Sequence, residues 1–312
     1  MSQTFVAELS HNALIGVSGD DAIAFLHGQF TNDVESLPVG GAQWNGWCTA
    51  KGRLLATFLL MRRADGFLMM LPAEIAEPVR KRLQMFVLRS KVKLEDAGTK
   101  WKRFGLAGPG GEAIVAKFWG RAPESMNSVA RDDAEATAMG AGCFVVLAPL
   151  GSAPDVWEAL AAPATMADAA AWDRTLIRAG IATIVAATQE AFVPQMVNYE
   201  LIGGVNFKKG CYPGQEIVAR MHYRGGLKRR MALAHVGGAD APRPGDALFS
   251  TAFGEQAAGE FANVAPAQDG GFDALVVAQL ESLARKDLRW KSPQGPAVEI
   301  RELPYLVPIG SS

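Results

Sequence analysis

The chain has 312 residues, of which 49% are hydrophobic and 20% charged, with a formal net charge of -1. That composition excludes a disordered or fibrous chain and supplies no global field to recruit nucleic acid or a membrane. The three cysteines, Cys48, Cys143 and Cys211, lie far apart with no Cys-x-x-Cys pair, so neither a disulfide framework nor a zinc knuckle is suggested. Length alone predicts about two domains. The start, MSQTFVAELSHNALIG, has an early acid and no basic stretch before an apolar core, so no signal peptide is expected. No apolar run approaches the roughly 20 residues of a membrane-spanning helix, and a cytoplasmic protein is expected.

In chain order, ALIGVSG (13–19) alternates as a strand, and Ser18 or Asp20 is placed to cap a helix through DDAIAFLHGQF. QWNGWCTA and RLLATFLLMRR flank Lys51-Gly52 as a hairpin, and ADG (64–66) turns into a third strand, FLMML. AEIAEPVRKRLQMFV predicts a helix with a start or kink at Pro78, and VKLED a strand. This β-α-β-β-β-α-β order is that of an α+β layer. Residues 97–165 are Gly/Ala-rich and polar, without a clear period except at CFVVLAPL (143–150), a buried strand that places Cys143 in a core. Asp132-Asp133-x-Glu135 reads as a solvated acidic turn. A helix is expected from Asp168, as N-cap, to Ala179. From Arg230 to Tyr305 the runs MALAHVGG, GDALF, GEFANVA, FDALVVAQL and AVEIREL, separated by Pro/Gly/Asp turns, predict a small antiparallel barrel or sandwich.

Charge is concentrated at one place. Between Lys208 and Arg230 stand Lys208, Lys209, Arg220, Arg224, Lys228, Arg229 and Arg230 with a single acid, Glu216. Cys211 sits inside this window in NFKKGCYPGQEIVAR, where Pro213-Gly214 makes a turn and QEIVARM continues with helical spacing. A cysteine beside two ammonium groups and ahead of a helix N-terminus is in a potential that favours the thiolate. A cysteine simply packed beside a turn that needs Gly210 and Gly214 fits the same spacing. The four histidines, His11, His27, His222 and His235, have no His or Cys at ligand spacing, so no metal site is expected. Gly-Pro-Gly-Gly at 108–111 lacks the Lys-Ser/Thr of a phosphate loop.

The string KGCYPGQE, with Phe207 and Lys208 before it and IVAR after it, resembles the signature of the YgfZ family of folate-binding proteins, relatives of the aminomethyltransferase (T-protein) of the glycine cleavage system. FLHGQFTNDV (25–34) is similar to that family's Gln-x-Thr-x-Asp segment and WCTAKGRLL (47–55) to its Lys-Gly hairpin. Residues 180–220, including Phe-x-Pro-Gln at Phe192 to Gln195, match almost continuously, and PYLVP (304–308) is also similar. About two thirds of the chain is covered, most weakly at 97–165.

The resemblance implies an aminomethyltransferase-like α+β fold: a folate-binding ring of two α+β domains with a C-terminal antiparallel β-barrel. Its expected parts are an N-terminal α+β folate-binding domain (1–96) completed by part of 166–228, a second, smaller α+β domain (97–165), a helix with the KGCYPGQE segment (166–228), and the barrel (229–312). It also implies tetrahydrofolate or a derivative as cofactor, with Trp172, Lys209, Tyr212, Gln215, Glu216 and Arg220 toward it, and Cys211 as a reactive thiol. The implied role is the assembly or repair of iron-sulfur enzymes, notably those that methylthiolate transfer RNA. Direct nucleic-acid binding and a membrane are not expected. An aminomethyltransferase or other one-carbon transferase is the enzyme alternative, and an RNA-binding module using the basic window is the third. Three departures stand out. No Asp or Glu occurs from Cys48 to Ala64, where a T-protein carries its carboxylate beside the folate. Relatives place a glutamate where Arg178 stands, and a guanidinium cannot accept the pterin's N–H groups. A family tryptophan near the N-terminus is replaced by Asn12.

Overall fold

The computed structural model of the chain describes residues 3–140 and 142–308, so Met1 and Ser2, on which the reading of the chain start partly rests, Ala141 and the last four residues lie outside it. In chain order the first elements are strands β1 (Phe5–Glu8) and β2 (Asn12–Ser18), helix α1 (Ala22–Gln29), strands β3 (Ala42–Cys48), β4 (Leu54–Arg63) and β5 (Gly66–Pro72), helix α2 (Ala73–Val87), and strands β6 (Lys93–Asp96) and β7 (Trp101–Ala107). Helix α3 (Gly111–Trp119), strands β8 (Ser128–Arg131), β9 (Ala134–Gly140) and β10 (Cys143–Pro149), helix α4 (Ala153–Ala161), strand β11 (Thr165–Ala167) and helix α5 (Ala169–Arg178) follow. After an irregular stretch come α6 (Gln215–Arg224), β12 (Arg229–Val236), β13 (Ala247–Phe249), β14 (Gly259–Pro266), β15 (Phe272–Gln279), α7 (Leu280–Arg285), β16 (Arg289–Trp290) and β17 (Val298–Arg301). The chain forms two compact units, one of Met1–Leu26, Val34–Trp44 and Phe58–Trp172, the other of His27–Asp33, Asn45–Thr57 and Asp173–Ser312.

The expected β-α-β-β-β-α-β order is present from β2 to β6, in a five-stranded sheet of order β3-β4-β5-β2-β6. Helix α2 runs unbroken through Pro78, and buries Ile75, Ala76, Val79, Leu83 and Val87 at helical spacing while Pro78 stays on its exposed side.

Residues 97–165 are more regular than their composition suggests. With β1 they build a six-stranded sheet of order β11-β1-β7-β10-β9-β8, in which β1 and β11 are parallel and the other pairs antiparallel. Its core joins Val6, Leu106, Phe144 and Val146 from the strands with Val115 and Trp119 of α3 and Val156 and Leu160 of α4. Burying side chains of this kind contributes about 1.5–3 kcal/mol each. The hairpin β8–β9 turns at Asp132 and Asp133, both at positive φ (47° and 66°), the geometry of a two-residue turn whose twist matches its strands. Glu135 corrects the acidic-turn reading: it is 5% exposed and paired with Arg63 at 2.5 Å, while the two aspartates do face solvent. Cys143 is buried in β10, as its run of apolar neighbours indicates.

In the second unit the order β16-β13-β14-β15-β12-β17 closes on itself. Arg289 bridges Ala297, Trp290 N donates to Pro296 O (2.9 Å) and Val298 N to Leu288 O (3.0 Å), so the two end strands meet in a barrel. Alternate residues Ala232, Ala234 and Val236 of β12 and Ala274, Val276 and Ala278 of β15 fill it with Phe261 and Trp290. Asp168 caps α5, its Oδ1 accepting the Ala171 N–H at 3.0 Å.

Candidate functional site

The segment 179–214 of the second unit holds only two short 3₁₀ turns, Ala186–Thr188 and Pro194–Val197, so its backbone groups need partners other than a ladder. Buried side chains supply them. Thr31 Oγ1 donates to Gly204 O (2.6 Å) and accepts from Gly46 N (2.8 Å), while Thr31 O accepts from Asn206 N (2.9 Å), so one residue ties three stretches together. Gln29 Oε1 is 3.4 Å from Trp47 Nε1, and Asp33 Oδ1 is 3.2 Å from His27 Nδ1. The Gln-x-Thr-x-Asp segment, which begins at the last residue of α1, thus ties the stretch ahead of the motif through Thr31.

Two glycines join the Lys-Gly hairpin to the motif. Thr49 N donates to Arg53 O (2.8 Å) and Gly52 N to Thr49 O (2.9 Å), closing the turn with Gly52 at φ 70°. Gly214, at φ 82°, lies so close that a Cβ there would be 2.4 Å from Thr49 O and 2.6 Å from Gly52 Cα. A side chain at 214 is therefore barred by space and by conformation. Helix α6 starts from this contact, with Val218 N bonded to Gly214 O (3.2 Å) and Val218 fully buried.

Lys209 departs from the expected arrangement. Its side chain is buried rather than turned to Cys211 or a ligand, and its ammonium donates to the carbonyls of His27 and Phe30 (2.9 Å to the latter), 4.8 Å from the centre of the Tyr212 ring. A buried ammonium is tolerated only when its protons are so placed. Tyr212 is buried too, and burial, with Cys48 nearby, pushes its hydroxyl well above the ordinary tyrosine range. Cys211 is exposed between them. Gln215 is half-buried in the first turn of α6, and Glu216 and Arg220 are exposed on that helix.

The basic window is likewise not all surface. Arg230 is 12% exposed and donates to Glu200 Oε1 (2.6 Å), Asn198 Oδ1 (3.1 Å) and Gln195 O (2.9 Å). Burial raises the carboxyl of Glu200 above its usual range despite Arg230 beside it. Lys208 and Lys228 do face solvent. Phe207 stacks on His222 at 3.8 Å, and Tyr223 meets both edge-on. Arg178 is engaged inside the unit: its Nε donates to Oδ2 of the buried Asp273 at 2.6 Å, and Asp273 also faces His235 (3.2 Å) and Arg301 (3.4 Å).

Trp172 belongs to the first unit. It is fully buried, its ring so near Gly105 that a Cβ there would sit 2.3 Å from it, and its Nε1 has no hydrogen-bond partner. Sequence reasoning gave no site role to His27, Asn198 or Glu200, and met Thr31 and Asp33 only through the resemblance of the Gln-x-Thr-x-Asp segment. Among the described residues no three His, Cys, Asp or Glu side chains gather as a metal site, and no helix is long and apolar enough to cross a membrane.

A mixed α+β chain with an antiparallel barrel has the aminomethyltransferase-like fold, here with an exposed thiol on the motif loop. Residues 2–170 match the family described as GCVT N-terminal domain. The glycine cleavage system aminomethyltransferase T from Bartonella henselae has the same fold, with a TM-score of 0.77 at 18% identity over 98% of this chain and 87% of that one. Two curated relatives narrow the class, the proteins named tRNA-modifying protein YgfZ from Vibrio vulnificus strains CMCP6 and YJ016. Each is 33% identical over 245 residues, covering 78% of this chain and 74% of the relative. The chain belongs to the YgfZ family.

Proposed function

We propose that this chain is a tetrahydrofolate-binding accessory protein for the assembly or repair of iron-sulfur enzymes, those that methylthiolate transfer RNA among them, with Cys211 as its reactive thiol. One observation carries the reading: of the three cysteines only Cys211 is exposed, on a loop whose backbone is held from beneath. Burial pushes the Cys143 thiol up to about 12 and that of Cys48 higher still, which leaves both inert at neutral pH. The name of the two Vibrio relatives, tRNA-modifying protein, supports a role linked to transfer RNA modification.

Tetrahydrofolate carries one-carbon groups on a pterin ring nitrogen and on the adjoining arylamine nitrogen, and this chain's residues fit it in one respect. The buried indole N–H of Trp172 has no acceptor in the protein, and a ligand acceptor would satisfy it. With its ring against Gly105, Trp172 offers that edge rather than an open face. Aminomethyl transfer is disfavoured because β4 and the turn before it carry no carboxylate. An RNA-binding role has the Phe207, His222 and Tyr223 group in its favour, and against it the burial of Lys209 and the pairing of the largely covered Arg230 with Glu200, since cations so engaged neutralise no phosphates.

Tryptophan fluorescence titrated with 5-formyltetrahydrofolate should quench saturably, and less so in Trp172→Phe. In cells lacking the native protein, Cys211→Ala should fail to restore methylthiolated transfer RNA. Full restoration would overturn the reactive-thiol role, and absent quenching the folate role.

A further inference from the structure

In the barrel of the second unit the side chains that fill the interior are Ala232, Ala234 and Val236 of β12, Ala274, Val276 and Ala278 of β15 and Val298 of β17. The alternate positions, His235, Asp273, Glu299 and Arg301, therefore face outward. The register sets His235 opposite Asp273 on one side and opposite Glu299 on the other, with Arg301 two residues further along β17. Asp273 is nonetheless only 2% exposed at its side chain, because cationic groups lie over it. Arg178 Nε donates to Oδ2 at 2.6 Å, while His235 Nδ1 at 3.2 Å and Arg301 Nη1 at 3.4 Å face Oδ1. Arg174, one turn before Arg178 on α5, donates from Nη1 to Pro266 O at 2.9 Å, and Pro266 pairs with Phe272, the neighbour of Asp273.

One carboxylate neutralises one guanidinium, and this one is shared by two. Glu299 lies 3.9 Å from Arg301 Nε but is 68% exposed, where an ion pair contributes little. Arg178 and Arg301 are held by Asp273 yet 36% and 32% exposed at their side chains, and among the described residues their remaining N–H groups meet no hydrogen-bond acceptor of the protein. The result is a pair of fixed guanidinium groups with surplus positive charge and open donors.

We propose that Arg178 and Arg301, braced on Asp273 and joined by Arg174, form a binding site for a small oxyanion, a phosphate or a carboxylate. The planar fork of a guanidinium matches two oxygens of either group, and a fork already fixed by a buried carboxylate loses little freedom on binding. The anion also takes up the charge that Asp273 leaves unbalanced. A glutamate at position 178, which the resemblance leads one to expect, would repel such a ligand, so Arg178 changes the kind of group that this end of α5 accepts. The proposal does not depend on the reading of Cys211 or of folate.

Isothermal titration calorimetry of the full-length protein with inorganic phosphate, and separately with glutarate, tests the site at an ionic strength held constant with sodium chloride. Saturable binding with a dissociation constant of about 1 mM or tighter is expected for at least one of the two. Tighter phosphate assigns a phosphate-bearing ligand, and tighter glutarate a carboxylate-bearing one. Arg178→Gln and Arg301→Gln should each weaken binding about tenfold, the size of a lost charge-assisted hydrogen bond, and Arg174→Gln severalfold. Lys291→Gln, whose ammonium pairs with Asp240 elsewhere on the barrel, should leave it unchanged. Circular dichroism checks folding, and Arg174→Gln, which leaves the contacts of Asp273 in place, carries the test where removing another arginine unfolds the chain. No saturable heat with either anion, parental binding in the arginine variants, or equal weakening by Lys291→Gln would overturn the proposal.

Discussion

The two units bury different kinds of side chain. Among the described residues, only Glu135 and Thr137 of the first unit are both polar and buried, whereas the second buries Thr31, Asn45, Gln195, Asn198, Lys209, Asp273 and several more. The first unit satisfies its backbone through sheet ladders and so is free to pack apolar side chains between sheet and helices. The second contains the irregular stretch 179–214, and there the side chains must do what a ladder does elsewhere. Thr57 Oγ1 donates to Ala182 O at 3.1 Å, Gln195 Nε2 to Val218 O at 2.6 Å, Asn198 Nδ2 to Met231 O at 3.1 Å and Tyr199 OH to Asn45 O at 3.0 Å. An irregular loop fixed by such a scaffold can present a reactive group that a regular element would bury.

If that contrast is correct, neighbouring lysines should behave very differently. Lys209→Met removes a buried ammonium and strands two carbonyls, and urea denaturation should show a loss of about 3 kcal/mol, against under about 0.5 kcal/mol for the exposed Lys208→Met. Equal losses would mean that Lys209 is not a structural tie. A smaller effect should separate two buried threonines by the same measurement. Thr31→Val breaks bonds to Gly46 and Gly204 and should cost about 2 kcal/mol, while Thr137→Val gives up one contact to Ser128 Oγ (2.9 Å) and should cost about 1 kcal/mol.

The smallest expected effect is a pH trend at Glu200. Its carboxyl is raised in the folded state, chiefly by burial, so the folded protein holds this proton more tightly than the unfolded chain does. That contribution is complete below the ordinary glutamate range and is lost as pH rises through the raised value. The stability of the parent relative to Glu200→Gln should therefore fall as pH rises above the ordinary glutamate range, as read from urea midpoints at increasing pH; a constant or rising difference would show that Arg230 outweighs burial.

Legibility in the sequence followed the same division. Long alternating or helical runs, such as ALIGVSG, RLLATFLLMRR and CFVVLAPL, show their period directly, and α2 begins and ends where its pattern does. The elements that escaped notice are those whose partners are distant or whose turn residues are unusual. Strand β1 is four residues long and pairs with β7 and β11, nearly 100 and 160 positions on; α3 opens among glycines; β8–β9 turns on Asp-Asp rather than the commoner Asn-Gly. At the site, the motif identified Cys211 and the glycines that its turn needs, but gave no direction to Lys209, Arg178 or His27.

Residue order by itself determined the element types, the tight turns at Gly52 and Gly214 and the concentration of cations from Lys208 to Arg230, because period, backbone freedom and charge are properties of neighbours along the chain. Only the tertiary structure decided which of those cations are surface charges and which are internal ties. A side chain's direction depends on which carbonyls and carboxylates the fold brings within hydrogen-bond reach, and those of His27 and Phe30 lie about 180 residues from Lys209.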